Sequence, residues 1–266
     1  MPSSALAPFL DRLGLQLRAD LGRNLIGLYV YGSLTQDAFE TRRSDVDCVA
    51  VIRRPLSAVV TSRLQMSLRR LLRSHPLARR LQLTILIQRE LLRFNGDGWL
   101  YQFGHLSRTG SDGNPIIWVN ILESGLVVLG PPPRTFVPRI TPTMLRAALQ
   151  REIEYLGAEL VSARNSVWRH RDSYRRYAAL TACRILYTLR TGRVVSKQVA
   201  AAWALTRLPT SHRAIVRRAS DRPVKGRRLP LEPLRDLVAF VEQRVATSPI
   251  NQRAAGARVR SMIRGR

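Results

Sequence analysis

The sequence predicts an α/β domain followed by an all-α bundle, on the basis of one change of pattern along its 266 residues. In the first half, short apolar runs typical of buried strands alternate with amphipathic segments of helical period. After a stiff Gly-Pro-Pro-Pro segment at 130–133, every periodic stretch is helical. We therefore expect a mixed sheet flanked by helices over residues 1–130, a helical bundle over 131–250, and a basic, disordered tail over 251–266.

The strand and helix signals of the first half follow a simple order. The predicted elements are a helix over 5–21, strands over 26–31 and 45–52, a helix over 56–74 that ends before Pro76, and a strand over 81–87. Two further apolar segments, 116–122 and 126–129, precede the proline run. Since a strand and a crossover helix alternate here, the pattern favours a layered α/β domain.

The second half shows helical spacing throughout. The predicted helices span 141–163, 173–191, 195–206, 211–220 and 231–246. Thr191-Gly192 is a suitable helix stop, and Ser196 is a suitable cap for the next helix. The tail contains five arginines and few apolar residues, which is the composition of a segment without a packed core.

Charge is the unusual feature of the composition. The net charge is +26, and only two of the 44 basic residues, Lys197 and Lys225, are lysines. Such a surface attracts polyanions, so we expect nonspecific affinity for nucleic acid. The two cysteines, Cys48 and Cys183, lie in apolar settings and predict small core residues, not a disulfide framework.

The chain shows no sign of a membrane or secretory protein. No apolar run approaches the length of a membrane span, and the first residues lack a basic-then-apolar signal pattern. We therefore expect a cytoplasmic protein without membrane contact, and a monomer.

One motif carries the chemistry. An apolar strand ends at Tyr31, the chain turns at Gly32-Ser33, and after eleven residues it resumes as Asp45-Val46-Asp47. Alternate side chains of a strand share a face, so the two carboxylates point the same way. They repel each other unless a cation lies between them, and Mg²⁺ prefers one or two carboxylates together with phosphate oxygens. Gly32 lets the backbone approach a phosphate, and Ser33 can open a short helix whose N–H groups attract anions.

The motif resembles the Gly-Ser…Asp-x-Asp pattern of polymerase-β-like nucleotidyltransferases. A second stretch, Arg176–Pro209, resembles the C-terminal domain of aminoglycoside (streptomycin/spectinomycin) adenylyltransferases, as do Gln102-Phe-Gly104 and Val127–Pro131. The resemblance covers about residues 5 to 246. It implies a catalytic domain that holds ATP and Mg²⁺, and a drug that binds in a cleft between the two domains.

The resemblance also implies roles for individual residues. Asp45 and Asp47 would hold the metal, and Ser33 and Ser44 would contact the triphosphate. Arg184 and Lys197, in the helical stretch, would reach the phosphates from the second domain. Lys197 is also supported by the composition. Nearly all basic residues of this chain are arginines, so a lysine at this helix start suggests that a compact point charge is needed there.

The third strand departs from the family. Gln82 stands where the family has a glutamate as general base, and a neutral amide cannot take the proton of an attacking hydroxyl. Other candidates for the base are His105, since an imidazole can act as a general base, and four acidic residues that also suit turns or a helix cap. These four are Asp37, Glu40, Asp97 and Asp112. The aromatic residue of the family's drug pocket is absent near Leu106, and Trp168 is a candidate replacement.

The predicted reaction is transfer of AMP from ATP to a hydroxyl group of an aminoglycoside or aminocyclitol. An acidic group in the helical half could line a site for such a polycation, but helix-surface pairing with nearby arginines is the favoured interpretation of it. This group consists of Glu152, Glu154, Glu159 and Asp172. Two alternatives stay open: a nucleotide-binding sensor that no longer turns over, on the evidence of Gln82, and a nucleic-acid-associated protein, on the evidence of the arginine surplus.

Overall fold

The computed structural model describes residues 6–40, 44–92, 94, 97–110, 113–161, 170–224 and 226–247. The chain divides into two compact units, Met1–Arg139 and Ile140–Arg266. The predicted tail over 251–266, together with Asp112, Trp168 and Lys225, lies outside the described residues. None of the helices within the described ranges is long and apolar enough to cross a membrane.

The first unit is built on a six-stranded mixed sheet. Its strands are β1 (Leu25–Tyr31), β2 (Val46–Ile52), β3 (Leu81–Ile87), β4 (Asp97–Gln102), β5 (His105–Gly110) and β6 (Leu126–Leu129). The strand order is β5-β4-β3-β2-β1-β6. Only β2 and β3 are parallel neighbours, and the other pairs are antiparallel. A parallel pair needs a crossover, and helix α2 (Ala58–Ser74) supplies it.

Both faces of this sheet are covered. On one face, α1 (Leu6–Leu21) and α2 pack their leucines against the strand residues of the main apolar core. Helix α3 (Pro115–Ser124) forms from the apolar segment that the sequence left unassigned. On the face opposite α1 and α2, Trp118 of α3 meets Tyr29 and Phe136 at ring-centroid distances of 6.4 and 6.1 Å. Central strands that are apolar on both faces, such as β2, follow from this two-sided burial.

The proline segment belongs to the first unit instead of bridging freely to the second. The Tyr29 hydroxyl donates to the Pro131 carbonyl oxygen at 2.9 Å, and Pro133 is buried. Gly130 adopts φ +93°, and a methyl group there would stand 2.3 Å from the carbonyl oxygen of Ile26. The division therefore falls at Arg139, not at residue 130, because β1 holds the proline run in place.

The second unit is helical in its described part. Its helices are α4 (Pro142–Val161), α5 (Asp172–Thr191), α6 (Lys197–Leu205), α7 (Thr210–Ser220) and α8 (Leu231–Thr247). Helix α5 packs against each of the other four, and its C-terminus is closed by Gly192 with φ +70°. The fold class predicted from the sequence, a mixed α/β domain followed by helices, is confirmed.

Candidate active site

The predicted site residues of the first unit lie at one end of the sheet. Strand register pairs Asp47 with Tyr31 on one side and with Gln82 on the other. Asp47 is therefore the central member of a row that crosses β1, β2 and β3. Asp45 precedes β2 and is exposed, whereas Asp47 is half-buried and Val46 between them is buried. The predicted alternation of the two carboxylates with core residues follows from this pattern.

The bend at Gly32 fits closely against one of these carboxylates. Gly32 has φ +78°, and a methyl group built on it would stand 2.4 Å from Oδ2 of Asp47. Glycine is thus required twice, for its left-handed backbone and for the absence of a side chain. One 3-10 turn, Gly32–Thr35, follows the strand, and the Thr35 hydroxyl donates to the Gly32 carbonyl oxygen at 3.2 Å.

A residue that the sequence analysis passed over holds this bend. The Gly32 N–H donates to Oδ1 of Asn120, on α3, at 3.0 Å. Asn120 is only 3% exposed. The available signal was a single amide side chain within the apolar run from Pro115 to Leu122, where a helix gains nothing from asparagine.

Ser33 and Ser44 flank the acidic pair in different ways. The Ser33 carbonyl oxygen accepts from the N–H of Ala38 at 3.1 Å, which rounds off the turn. The Ser44 hydroxyl accepts from the Glu40 N–H at 2.9 Å, and the Ser44 N–H donates to the Glu40 carbonyl oxygen. Ser44 therefore closes the loop that leads into Asp45, and its predicted contact with phosphate stays a prediction.

The hairpin of β4 and β5 brings further polar residues to the same sheet end. Leu83 pairs with Tyr101, so Gln102, the next residue of β4, lies at the end where Gln82 lies. Gln102 in turn pairs with His105. At a strand spacing of about 4.8 Å, His105 is about 10 Å from Gln82. Asp97 begins β4 at the opposite end of the sheet, which removes it from the candidates for a base.

The donor set of the acidic pair suits a hard cation. Among the described residues, no group of three or more His, Cys, Asp or Glu side chains is placed to bind a metal. Two carboxylates with room for phosphate oxygens match Mg²⁺, which takes few protein ligands when it binds with a nucleotide. The absence of a side chain at Gly32 lets Oδ2 of Asp47 lie against the bend. Cys48, next to Asp47, is no ligand, because burial and the Asp47 charge raise the pKa of its thiol.

In the second unit, both predicted cations surround one tyrosine. Lys197 is the first residue of α6, after Ser196, whose hydroxyl caps the helix by accepting from the Val199 N–H at 3.3 Å. Its Nζ lies 4.6 Å from the ring centroid of Tyr177, a cation–π distance. Burial raises the pKa of Tyr177, as does the charge of Glu152, whereas the Arg184 guanidinium lowers it. The structure thus places Arg184 and Lys197 in one local environment on α5 and α6.

The predicted acidic group does not form one surface. Glu152 and Glu159 of α4 lie close enough to raise the pKa of Tyr174, after the larger effect of burial. Glu154 accepts from Gln150 on the exposed side of α4 at 2.8 Å. Asp172 forms an ion pair with Arg176 at 2.6 Å and accepts from the Leu229 N–H at 2.7 Å. Asp172 therefore ties α5 to the segment before α8.

The second unit matches a known protein family. A family model described as aminoglycoside adenylyltransferase, C-terminal domain, matches residues 135–246. The second unit is similar to the C-terminal domain of aminoglycoside adenylyltransferases. The match includes Arg184 and Lys197, and it confirms the resemblance predicted from Arg176–Pro209.

A solved structure shows a likeness of fold over most of the chain. It is the crystal structure of spectinomycin adenyltransferase AAD(9) from Enterococcus faecialis with ATP and spectinomycin. The TM-score is 0.68 at 20% sequence identity, and the match covers 90% of this chain and 99% of that chain. A search of curated proteins gave no significant match. The solved structure shows that the two chains share a fold.

Proposed function

We propose that this protein is a Mg²⁺-dependent nucleotidyltransferase that transfers AMP from ATP to a hydroxyl group of an aminoglycoside or aminocyclitol such as streptomycin or spectinomycin. The observation that supports this most strongly is the fit of Gly32 against Asp47, with Gln82 in register beside it. The adenylyltransferase-type second unit and the likeness to a protein crystallised with ATP and spectinomycin favour the same reaction.

In the proposed reaction, the acceptor oxygen bonds to the α-phosphorus while the bond from that phosphorus to the bridging oxygen of pyrophosphate breaks. Asp45 and Asp47 would hold Mg²⁺, which when bound offsets the charge of the phosphates. We assign Ser33, Ser44, Arg184 and Lys197 to binding the polyphosphate. Transfer through such a site depends chiefly on alignment and charge stabilisation.

The hydroxyl proton is the weak point of the reaction. Gln82 lies in register beside Asp47, where it can orient an acceptor hydroxyl but cannot accept its proton, so in the proposed reaction that proton passes to solvent water. General-base catalysis typically contributes about 10²–10⁴-fold. We therefore expect slow transfer with tight nucleotide binding. His105, about two strands away, is placed to act only on an acceptor that extends along the sheet end.

The same observation favours a second function, a nucleotide-binding protein that does not turn over. The two proposals separate in one pair of experiments. Isothermal titration with ATP and Mg²⁺ measures binding, and a pyrophosphate-release assay with streptomycin, spectinomycin or RNA measures transfer. Binding with release supports the enzyme and identifies its acceptor. Binding without release supports the sensor, and no binding would contradict both.

We expect Gln82→Glu to raise pyrophosphate release by about a hundredfold, because it restores a carboxylate that can accept the proton. The matched control is Gln88→Glu, since Gln88 follows β3 at the opposite end and receives the same charge. An increase in both variants would point to a general charge effect. No increase with Gln82→Glu, with ATP still bound, would argue that this site no longer performs transfer.

The positive surface has a separate expected consequence. With a net charge of +26, the protein should bind nucleic acid nonspecifically, and this affinity should fall steeply as salt concentration rises. Binding to a random RNA at two salt concentrations measures the effect.

A further inference from the structure

The buried side chain of Asn120 has no role in the apolar packing of the helix that carries it. Its neighbours on the buried part of α3 include Trp118, Val119 and Ile121. An amide in such a setting costs free energy unless it is hydrogen-bonded, and asparagine is a poor helix former. The bond that satisfies its Oδ1 is the one from the Gly32 N–H, at 3.0 Å.

The donor in that bond, the Gly32 N–H, needs this partner. Gly32 comes directly after the last residue of β1, where the strand register with β2 ends at Tyr31 and Asp47. A backbone N–H that leaves a sheet needs a new partner. Asn120 provides it, and Gly32 lies at φ +78° with Oδ2 of Asp47 close to where a β-carbon would stand.

The hydrogen bond to Asn120 limits how Gly32 could contribute to nucleotide binding. Its N–H is already engaged by Asn120, and Oδ2 of Asp47 lies where a side chain would begin, so Gly32 would serve a nucleotide by positioning Asp47 and Ser33 and not as a hydrogen-bond donor. The orientation of the next residue, Ser33, then depends on the anchor. The helix that carries Asn120 is stabilised at its start, since Asn114 caps α3 by accepting from the N–H groups of Ile116 and Ile117.

We propose that Asn120 is a positioning residue for the nucleotide: its amide oxygen fixes the Gly32–Ser33 bend against the Asp47 carboxylate and so sets the orientation of Ser33 and of that carboxylate. The inference rests on the proposed function, because the ligand it concerns is ATP with Mg²⁺. Asn120 itself acts through Gly32 and needs no contact with the substrate.

The test compares Asn120→Leu, which keeps the size of the side chain and removes the acceptor, with Ser124→Ala as control. Ser124 lies one turn further along α3 and donates to the Asn120 carbonyl oxygen at 3.2 Å, so it perturbs the same helix but not the bend. Three quantities are measured: the Kd for ATP with Mg²⁺ by titration, hydrogen exchange of the Gly32 amide without nucleotide, and the midpoint of thermal unfolding.

We expect Asn120→Leu to weaken ATP binding about tenfold, the effect of one lost hydrogen bond, and to speed exchange at Gly32. Ser124→Ala should change neither. In a Gly32→Ala background, Asn120→Leu should add no further loss of affinity, because both changes act on one bend. Should Asn120→Leu fail to fold, Asn120→Ser serves instead, since its shorter side chain leaves the Gly32 N–H out of reach.

Three different results would overturn the inference. If the unmodified protein binds ATP and Asn120→Leu lowers only the thermal midpoint, Asn120 has a structural role alone. If the unmodified protein does not bind ATP at all, both the proposed function and this inference are contradicted. Additive losses in the double variant would also contradict action through Gly32.

Discussion

The two units hold their predicted site residues by different means. In the first unit, backbone register and the conformation of Gly32 fix Asp47 beside Gln82. In the second unit, the long side chains of Arg184 and Lys197 share the surroundings of the Tyr177 ring. A substitution in the first unit should therefore disturb backbone and site together. A substitution in the second can remove charge while the helices stay packed.

The largest effect is expected for Gly32→Ala, which tests whether backbone conformation fixes the predicted site of the first unit. We expect a loss of about a hundredfold in ATP affinity and in transfer, because the added methyl group meets Asp47 and displaces the site by a large part of an ångström. The control is Gly22→Ala, at the other end of β1, which has φ +52° and no atoms within 4 Å of an added methyl group. It should cost about 1–2 kcal/mol in stability and leave ATP affinity unchanged.

Titration calorimetry and denaturant unfolding measure both quantities. Wild-type ATP affinity in Gly32→Ala would show that the bend is not a fixed part of the site.

The next largest effect should come from Asp172→Asn, which tests whether the packing of the second unit is separate from its site residues. The substitution weakens the ion pair with Arg176 and the bond from Leu229, and we expect a loss of about 1–3 kcal/mol. Denaturant unfolding measures it, and ATP affinity should hold. Asp236→Asn, on the exposed side of α8, removes the same charge and should have little effect.

The loss should depend on pH in a defined direction. Burial alone would raise the pKa of Asp172, but Arg176, the Leu229 N–H and Arg175 lower it overall. A carboxyl whose pKa is lower in the folded state stabilises the protein above its unfolded pKa of about 3.9, and the contribution disappears as the pH falls through the folded value. The difference between wild type and Asp172→Asn should therefore shrink below about pH 4. An unchanged difference at pH 2.5 would contradict the assignment.

The smallest of the three effects is expected for Lys197→Gln, which tests whether a side-chain charge of the second unit can be removed without loss of stability. Lys197→Gln should weaken ATP binding about tenfold, because it removes a cation assigned to the phosphates. Stability should fall by less than about 1 kcal/mol, the value of a cation–π contact in an accessible place. Arg190→Gln, at an exposed position near the end of α5, removes the same charge as control. Equal losses in the two variants would mean that only net charge matters.

The sequence predicted the elements whose period was clear. Leucines at helical spacing gave α1 and α2 almost to the residue, and the run from Leu81 to Ile87 is β3. Helix α3 could not be assigned, because a short, wholly apolar run fits a buried strand as well as a buried helix. The β4–β5 hairpin was missed because its turn places Phe103 at φ +52°, where an aromatic residue is not a turn signal.

The site shows the same limit. The Gly32…Asp47 motif could be found from spacing, since its residues lie close together in the sequence. The contact between Gly32 and Asn120 joins residues 88 positions apart, and a single sequence contains no record of such a pair. The cation–π contact of Lys197 with Tyr177 could not be predicted from the sequence either, since it depends on how α5 and α6 pack.

The anchoring of the proline run to β1 has a consequence for how this architecture can be divided or recombined. A gene cut at residue 130 would leave the Tyr29 hydroxyl without Pro131 and would take Phe136 from the ring cluster around Trp118. An independently produced first half must therefore extend through Arg139. A helical partner exchanged from another protein would be joined beyond that residue, where the chain has left the sheet.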